Sequence, residues 1–348
     1  RPVGPGRAHP VRPRSRTLRR RGMALILAMW MSILLAMLVG SLAWQMHMEA
    51  ELSSQQRKRF HCEQIARSGI QWGLFVLRKS TNPPVEGDDR YDETFRLAAV
   101  NLSNGVGVRG LTQPLGEGEF SVDIVPEQGR VNVNTMTEED WDLLLTTAGV
   151  PDDLHDGLKG AFFDWTDPND LSRLNGAESD DDFYRDAGYK VKNAPLDTID
   201  ELLLIKGFGP ALLYGGRGLR EGDPPISGIG RLLTTWGDGK VNVNTATREA
   251  MLAMPEFDEY AVDSFLDGRL GADGIEGTED DGFGSVEEAL SYAGLDADYG
   301  SRITVTEKRY VRITATGKLN NSQARVFAIV MQTGSDAAPV FWSEDSQL

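Results

Sequence analysis

Carboxylates are concentrated in one segment of the chain that begins at Asp164. It reads Asp-Trp-Thr-Asp-Pro-Asn-Asp over residues 164–170 and continues through Gly176-Ala177-Glu178 to a run of aspartates at 180–182. Pro168 and Gly176 indicate a loop, in which the carboxylates at 164, 167 and 170 can converge as oxygen ligands. Ca²⁺ takes about 6 to 8 oxygens with flexible geometry. The segment is therefore a candidate calcium site, and a solvated acidic loop is the alternative.

A second acidic loop covers residues 273–282, Asp-Gly-Ile-Glu-Gly-Thr-Glu-Asp-Asp-Gly. Its glycines would allow the backbone to fold tightly around an ion. It matches no motif, so calcium binding and plain solvation are equally open. If it binds an ion, the expected ligands are Asp273, Glu276, Asp280 and Asp281.

Residues for catalysis do not form a recognisable group. The four histidines, His9, His47, His61 and His155, lie in the basic end, near the membrane or alone among helices; His61 adjoins Cys62, but no further catalytic group accompanies that pair in sequence. No glycine-rich phosphate loop follows a predicted strand, and paired carboxylates are too common in this chain to single out a general acid. Cys62 is the only cysteine, so an intrachain disulfide is excluded. We predict that the protein is not an enzyme.

The charges are divided between a basic end and an acidic body. Eight of the 36 basic residues lie in residues 1–22, which contain no acid, so the rest of the chain carries 28 basic against 52 acidic residues. Such a body repels a nucleic-acid backbone and attracts divalent cations. The basic end is expected to stay cytoplasmic, which places the acidic body across the membrane.

An uncharged apolar run of 22 residues, 23–44, follows the basic end. As a helix it would span roughly 33 Å, enough for a bilayer core. Three interpretations are open. The run is a secretory signal cut near Ser41-Leu42-Ala43, a permanent anchor, or a helix that stays intact after cleavage following Gly22.

The remaining elements alternate between helix and strand signals. A proline-free stretch over 49–78 predicts that the helix continues beyond the membrane, to end at Asn82-Pro83-Pro84. Residues 85–115 are expected to be rich in loops, with a short helix near 95–102. Alternating patterns predict strands at 119–125, 310–316 and 324–330, the last two joined by a turn at 318–322. If these strands form one sheet on the long helix, residues 129–301 are a mostly helical insertion.

A heptapeptide occurs twice inside that insertion. Gly-Arg-Val-Asn-Val-Asn-Thr at 129–135 returns as Gly-Lys-Val-Asn-Val-Asn-Thr at 239–245, which suggests two related helical lobes. The phrase resembles the helix-hairpin-helix modules of membrane-anchored DNA uptake receptors, which hold phosphate on hairpin amides. The best hairpin, 205–210, offers one lysine, Lys206, but is flanked by Asp197, Asp200 and Glu201. The acids favour a hairpin that only turns the chain.

The N-terminal pattern resembles a second family. Basic residues, Gly22 and an uncut apolar helix beginning at Met23 are similar to the class III leader of type IV pilins and type II secretion pseudopilins. The resemblance implies that a prepilin peptidase cuts after Gly22 and methylates Met23. The family normally has a glutamate five residues into the mature chain, and this sequence has Leu27 there. Its absence is a mark of the K-type minor pseudopilin, which lies at the filament tip.

The acidic segment carries the same resemblance, because Asp-Trp-x-Asp, Gly-Ala-Glu and a following tyrosine are a signature of K-type minor pseudopilins, whose inserted domain binds calcium. Asp164, Asp167 and Glu178 match that signature. Asp170, Asp181 and Asp182 are added as ligands on their chemistry alone. The family also carries the heptapeptide repeats, so the motif of the DNA receptors does not separate the two families.

The resemblance implies an α+β fold, in which a long N-terminal membrane-spanning helix packs on a small antiparallel sheet and a large, mostly helical domain is inserted. The helical domain would contain lobes similar to helix-hairpin-helix modules. The expected divisions are a leader at 1–22, the helix at 23–80 with its membrane span at 23–44, a pseudopilin domain at 81–128 and 302–335, the insertion at 129–301 and a tail at 336–348.

The function implied is that of a minor pseudopilin at the tip of the type II secretion pseudopilus, which starts or caps the filament that exports folded proteins. The expected partners are the I-type and J-type minor pseudopilins, the pseudopilus and the prepilin peptidase. Calcium is the expected cofactor, and no nucleic acid is expected. The protein would cross the bacterial inner membrane once, with a cytoplasmic N-terminus and a periplasmic body. A membrane-anchored helix-hairpin-helix DNA-binding protein is the alternative.

Overall fold

The computed structural model describes residues 20–255, 257–306 and 309–344. Most of the predicted leader, residues 1–19, lies outside the described residues. The chain divides into two compact units, residues 1–58 and 59–348. Helix α1, Arg20–Lys79, contributes to both units.

The described part of the first unit is helical, and its apolar part is the segment 23–44. Residues 23–44 are exposed around the whole helix, including Trp30 and Leu34. A helix that is apolar all round is suited to a bilayer or a protein core. By length and composition, the segment that begins at Met23 qualifies as a membrane span, with a mean hydropathy of 2.4 in its most apolar window.

The second unit contains a five-stranded antiparallel sheet. After α2, Glu93–Ser103, the chain forms β1, Val108–Leu115, and β2, Gly118–Pro126. Three further strands come from the end of the chain: β7, Tyr310–Leu319, β8, Ser322–Thr333, and β9, Asp336–Glu344. The order is β1-β2-β7-β8-β9, so β2 lies beside β7 although many residues separate them in sequence.

One face of this sheet packs on the last part of α1. Ala66, Ile70 and Leu74 are buried against Val122 and Ile313. The approach is closest at Gly317, where a Cβ would lie 2.1 Å from the carbonyl oxygen of Cys62. The predicted fold, a long N-terminal helix on a small antiparallel sheet, is confirmed.

Between β2 and β7 the chain is mostly helical and has its own core. Its helices and short strands are β3, Val131–Asn132; α3, Glu138–Ala148; α4, His155–Thr166; α5, Asp182–Ala187; α6, Pro210–Tyr214; β4, Leu233–Thr234; β5, Val241–Asn242; α7, Arg248–Leu252; α8, Glu259–Gly268; α9, Val286–Ala293; and β6, Ile303–Thr304. Short 3₁₀ turns connect several of them, including Ile199–Leu204. Trp141, Phe162 and Phe265 are among the large side chains buried in this core.

Two sequence expectations were wrong. The segment 108–115 was expected to be a loop and is strand β1, and residues 336–344, expected to belong to a tail, form the edge strand β9. Both are edge strands of the sheet. Their faces are mostly exposed, so their sequences lack the alternation of polar and apolar residues that marked β2, β7 and β8.

The two heptapeptides pack against each other. A Cβ on Gly129 would lie 2.9 Å from the hydroxyl of Thr245, and a Cβ on Gly239 would lie 2.6 Å from the hydroxyl of Thr135. The first Val-Asn dipeptide of each copy forms a short strand that pairs with another in parallel: β3 pairs with β4, and β5 pairs with β6. The two copies are therefore in reciprocal contact, because the glycine of each copy leaves space for the threonine of the other.

The asparagines of the repeat explain its spacing. Asn134 exchanges two hydrogen bonds with the backbone of Leu196, and Asn244 does the same with Phe283, at 2.8 to 3.1 Å. Asn244 also donates to the carbonyl of Val305. A side-chain amide can satisfy a backbone donor and acceptor together, so each second asparagine holds a distant loop in place.

Candidate metal centre

Helix α4 positions the first carboxylates of the acidic segment. Its last turn contains Asp164, which is fully buried, and Asp167 follows as the capping residue in extended conformation. Pro168 explains the end of the helix, because the residue before a proline disfavours helical geometry. One acid therefore faces the core, while the next lies in the loop that leaves the helix.

Asp164 organises the loop that follows. Its two oxygens accept from the backbone N–H of Arg173 at 3.1 and 3.2 Å, and it also accepts from the backbone of Ala177. Gly176 lies so close that a Cβ there would be 2.1 Å from an Asp164 oxygen. Burial raises the pKa of Asp164, the backbone donors lower it, and the charge of Asp167 raises it further. The net shift is upward.

Glu178 has the least satisfied carboxylate in this segment. The residue is 2 % exposed, and neither Oε1 nor Oε2 has a hydrogen-bond partner within the described residues. Burial, followed by the charge of Asp164, raises its pKa to about 7, and the charges of Asp167 and Asp170 add to the effect. The backbone N–H of Ser179 lies near enough to lower the pKa somewhat but does not form a hydrogen bond of good geometry with either oxygen. Unpaired buried carboxylate oxygens are costly. A cation at this position would remove that cost.

Asp167 and Asp170 lie at the edge of the same loop. Asp167 accepts from the side-chain amide of Asn169 at 2.7 Å and lies 4.0 Å from the guanidinium of Arg173. Asp170 accepts from the amide of Asn193 at 2.9 Å. These bonds hold the loop while leaving other lone pairs of both carboxylates available.

Asp181 and Asp182 have other partners. Asp181 caps α5 by accepting from the N–H of Phe183, and it forms an ion pair with Lys206 at 2.7 Å. The hydrogen bond from Lys206 lowers the pKa of Asp181. Asp182 is exposed and pairs with Arg185. Of the six proposed ligands, Asp164, Asp167 and Asp170 lie near enough to Glu178 for their charges to raise its pKa, whereas Asp181 and Asp182 are taken up in other pairs.

The four acids do not form a closed cage. Across the part of the chain that the structure describes, no three Asp, Glu, His or Cys side chains meet closely enough to hold one metal ion. The unpaired oxygens of Glu178 and the nearby carboxylates of Asp164, Asp167 and Asp170 are the hard oxygen donors that Ca²⁺ prefers, but the structure does not gather them around one point. The role of Arg173 could not be predicted from the sequence, because it donates its backbone N–H to Asp164 and any residue type has that donor except proline.

The second acidic loop satisfies its own carboxylates. Asp280 accepts from Ala272 at 2.8 Å, the buried Asp281 accepts from Gly277 at 2.6 Å, and Asp273 accepts from Ile275. Glu276 is exposed. These acids therefore shape the turn of a loop whose calcium binding stays a prediction.

The hairpin expected for the DNA-binding alternative is present at 205–210, but its lysine already forms an ion pair within the chain. Lys206, its only lysine, is paired with Asp181, and its backbone N–H donates to the hydroxyl of Tyr184 at 3.2 Å. A phosphate would have to displace a carboxylate from that lysine. The local geometry therefore does not favour the alternative.

Comparison with known proteins shows which chains this one is similar to. The family model for type II secretion system protein K matches residues 118–214, which include β2 and the acidic segment. The type II secretion system protein K of Pseudomonas aeruginosa is 24 % identical over 251 residues, covering 66 % of this chain and 69 % of that protein.

Among solved structures, the chain is similar to one in the crystal structure of the GspK-GspI-GspJ complex from the enterotoxigenic Escherichia coli type 2 secretion system. The TM-score is 0.57 at 14 % identity, with 84 % of this chain and 99 % of that chain covered. At this identity the match concerns the fold. Together, the sequence matches and the shared fold confirm that this chain resembles the K-type minor pseudopilins of type II secretion.

Proposed function

We propose that the protein is a minor pseudopilin at the tip of a type II secretion pseudopilus. The observation that carries the proposal is the match of residues 118–214 to the family model for type II secretion system protein K. The fold of this chain is also similar to that of one chain in the crystal structure of the GspK-GspI-GspJ complex. The proposed partners are accordingly minor pseudopilins of the I and J types. The role needs surfaces for assembly and no catalytic centre.

The inserted region supports a position at the end of a filament. It separates β2 from β7 and adds a second hydrophobic core beside the one formed by α1 and the sheet. A subunit with this extra mass is difficult to place inside a closely packed helical filament, whereas the end offers room. Leu27 agrees with the same position, since a carboxylate in the apolar helix would need a partner in the next subunit.

The proposed topology follows from α1. Its apolar segment would span the inner membrane before assembly, with the basic end in the cytoplasm and residues 59–348 in the periplasm. We further propose cleavage after Gly22 and methylation of the new amine at Met23. Both residues lie in the helix, which would keep its apolar segment after cleavage.

Calcium is proposed as the cofactor of the α4 loop. Asp164, Asp167, Asp170 and Glu178 would hold it, and the bound ion would supply the positive charge that these oxygens lack. The support is the pair of unpartnered Glu178 oxygens. Asp164 would link the site to the loop backbone through Arg173, so that ion binding orders the segment after α4.

The experiment that tests this function is localisation in assembled pseudopili. The full chain, labelled within its inserted region, should be found only at filament ends, and deletion of its gene should reduce both pseudopilus initiation and export. A labelled major pseudopilin, distributed along the filament, is the control. Regular incorporation of this chain along the filament body would contradict the proposal.

A further inference from the structure

A cavity of about 180 Å³ lies where the sheet meets the inserted region. The residues around it come from β1, β2 and β7 and from the segments that precede β3, β4 and α7. Its charged lining comprises four arginines and two acids: Arg109, Arg130, Arg231, Arg312, Asp123 and Glu127. This excess of positive charge contrasts with the acidic body, in which acids outnumber bases.

Two of these groups neutralise each other. Arg312 donates two hydrogen bonds to the buried Glu127, at 3.0 and 2.8 Å, and Thr234 donates a third at 2.9 Å. Asp123 accepts from the backbone of Gly110 at 2.7 Å. The acids are therefore already supplied with donors, so neither requires a further cation from the cavity.

Arg130 lacks such a partner. In the described part of the chain its guanidinium forms neither a hydrogen bond nor an ion pair, although the side chain is only partly exposed. Burial and the neighbouring charge of Arg312 lower the pKa of Arg130 to about 10, and Glu127 only partly offsets them. A guanidinium presents a planar set of donors, so an unpaired one at a cavity wall is a preorganised oxyanion ligand.

The other two arginines lie nearer the surface. Arg109 is exposed. The pKa of Arg269 is lowered mainly by the burial of Arg269 itself, and the positive charge of Arg109 lowers it further. Arg231 is about half exposed and makes a longer contact of 3.6 Å with Glu249. Both can therefore turn toward a bound anion while keeping water access.

We propose that this cavity binds a small free oxyanion such as sulfate or phosphate, with Arg130 as the central donor and Arg109 and Arg231 at the mouth. The volume admits one small group. Because the lining comes from both the sheet and the inserted region, the bound anion would connect the two. This site is separate from the calcium centre and requires no partner protein.

The test is a calorimetric titration of the full chain in detergent with sodium sulfate, with chloride adjusted to keep ionic strength constant. We expect saturable binding of one sulfate per chain. Replacing Arg130→Gln should weaken binding about tenfold, since it removes charge-assisted hydrogen bonds. The matched control is Lys240→Gln, at the same position in the second heptapeptide, where the side chain is exposed and outside the cavity.

Arg109→Gln provides a second variant that should leave the fold intact, because its side chain is exposed. It should weaken sulfate binding by about threefold, as expected for a solvent-screened contact. Wild-type protein that binds no sulfate would overturn the proposal. So would wild-type affinity in both arginine variants, or an equal loss in Lys240→Gln. Calorimetry is preferred to melting temperature because sulfate stabilises many proteins by exclusion from their surfaces.

Discussion

Replacing Glu178 with glutamine should change stability in opposite directions in the absence and presence of calcium. In chelated protein the ionised carboxylate is buried without a hydrogen-bond partner, beside other acids. Glutamine removes the charge and can donate its amide to the neighbouring Asp164. In calcium-loaded protein the same substitution removes a ligand, so the variant should lose most of the stabilisation that calcium gives.

The magnitude follows from the pKa of Glu178, which is raised from 4.5 to about 7. Because the folded state binds the proton more tightly, the stabilising effect of protonation is fully present below the unfolded pKa and is lost as pH rises through the folded pKa. The full shift corresponds to about 3 kcal/mol. Chelated Glu178→Gln should therefore be about 1 to 3 kcal/mol more stable than wild type near pH 8, since the amide also needs partners.

The assay is urea unfolding of the full chain in detergent, followed by intrinsic fluorescence, with either a chelator or excess calcium. Asp182→Asn is the matched control, because Asp182 belongs to the same acidic run but is exposed and paired with Arg185. Its response to calcium should equal that of wild type. Near pH 5, where wild-type Glu178 is mostly protonated, the advantage of the chelated glutamine variant should largely disappear.

Two results would refute this reasoning. Chelated Glu178→Gln that is less stable than wild type near pH 8 would show that the carboxylate has a partner that the structure does not reveal. A variant that keeps the full calcium response would remove Glu178 from the ion site. Loss of that response in Asp182→Asn would instead show that the four-acid grouping is wrong.

Three further predictions concern other parts of the molecule. Mass spectrometry of protein from cells with the prepilin peptidase should find N-methyl-Met23 as the first residue; an intact leader would contradict the proposed processing. Arg312→Gln should destabilise by about 3 to 5 kcal/mol in chemical denaturation, because it leaves the buried charge of Glu127 without its ion pair and with the hydroxyl of Thr234 as its remaining side-chain donor, and adding Glu127→Gln should restore part of the loss. Gly317→Ala should cost more than about 2 kcal/mol, because its Cβ would overlap the Cys62 carbonyl; wild-type stability would show that α1 can move away from the sheet.

Sequence analysis could predict the strands whose burial alternates. β2 and β7 alternate between buried and partly buried residues along most of their lengths, and this repeat of two is visible in the residues. β1 and β9 lie at the edges, where tertiary hydrogen bonding sets the structure and the exposed faces permit almost any residue. Their positions could not be read from local patterns.

Helix starts were predictable to within a few residues. Thr135 and Glu138 have the spacing of a capping box, yet the box of α3 is formed by Thr137 and Asp140, because the end of the heptapeptide is a 3₁₀ turn. At Ser285 the same spacing does form the cap of α9, since its hydroxyl accepts from the N–H of Glu288. Several overlapping Ser/Thr-to-acid spacings are possible locally, and the fold selects among them.

The candidate site shows the same limit. Residue type and spacing identified Asp164, Asp167, Asp170 and Glu178, but the adjacent Asp181 and Asp182 looked equally suitable. Asp181 and Asp182 differ by their close ion pairs, with Lys206 in one case and Arg185 in the other, whereas Asp167 is no closer than 4.0 Å to Arg173. Among the four acids, Glu178 is the one that folding buries without a hydrogen-bond partner, and the presence or absence of a partner is a property of the tertiary structure.

The two heptapeptides resemble part of a phosphate-binding module, but their residues in this structure pack the chain against itself. The same residues that suggested phosphate-binding lobes place Gly129 against Thr245 and Gly239 against Thr135. The asparagines bind backbone groups of this chain, so their donors and acceptors are already used. The copies differ at one position, and that difference is the informative one. Arg130 of the first copy lines the cavity, whereas Lys240 of the second copy is exposed. The glycine–threonine contact therefore occurs in both copies, but the proposed oxyanion site is formed only by the first.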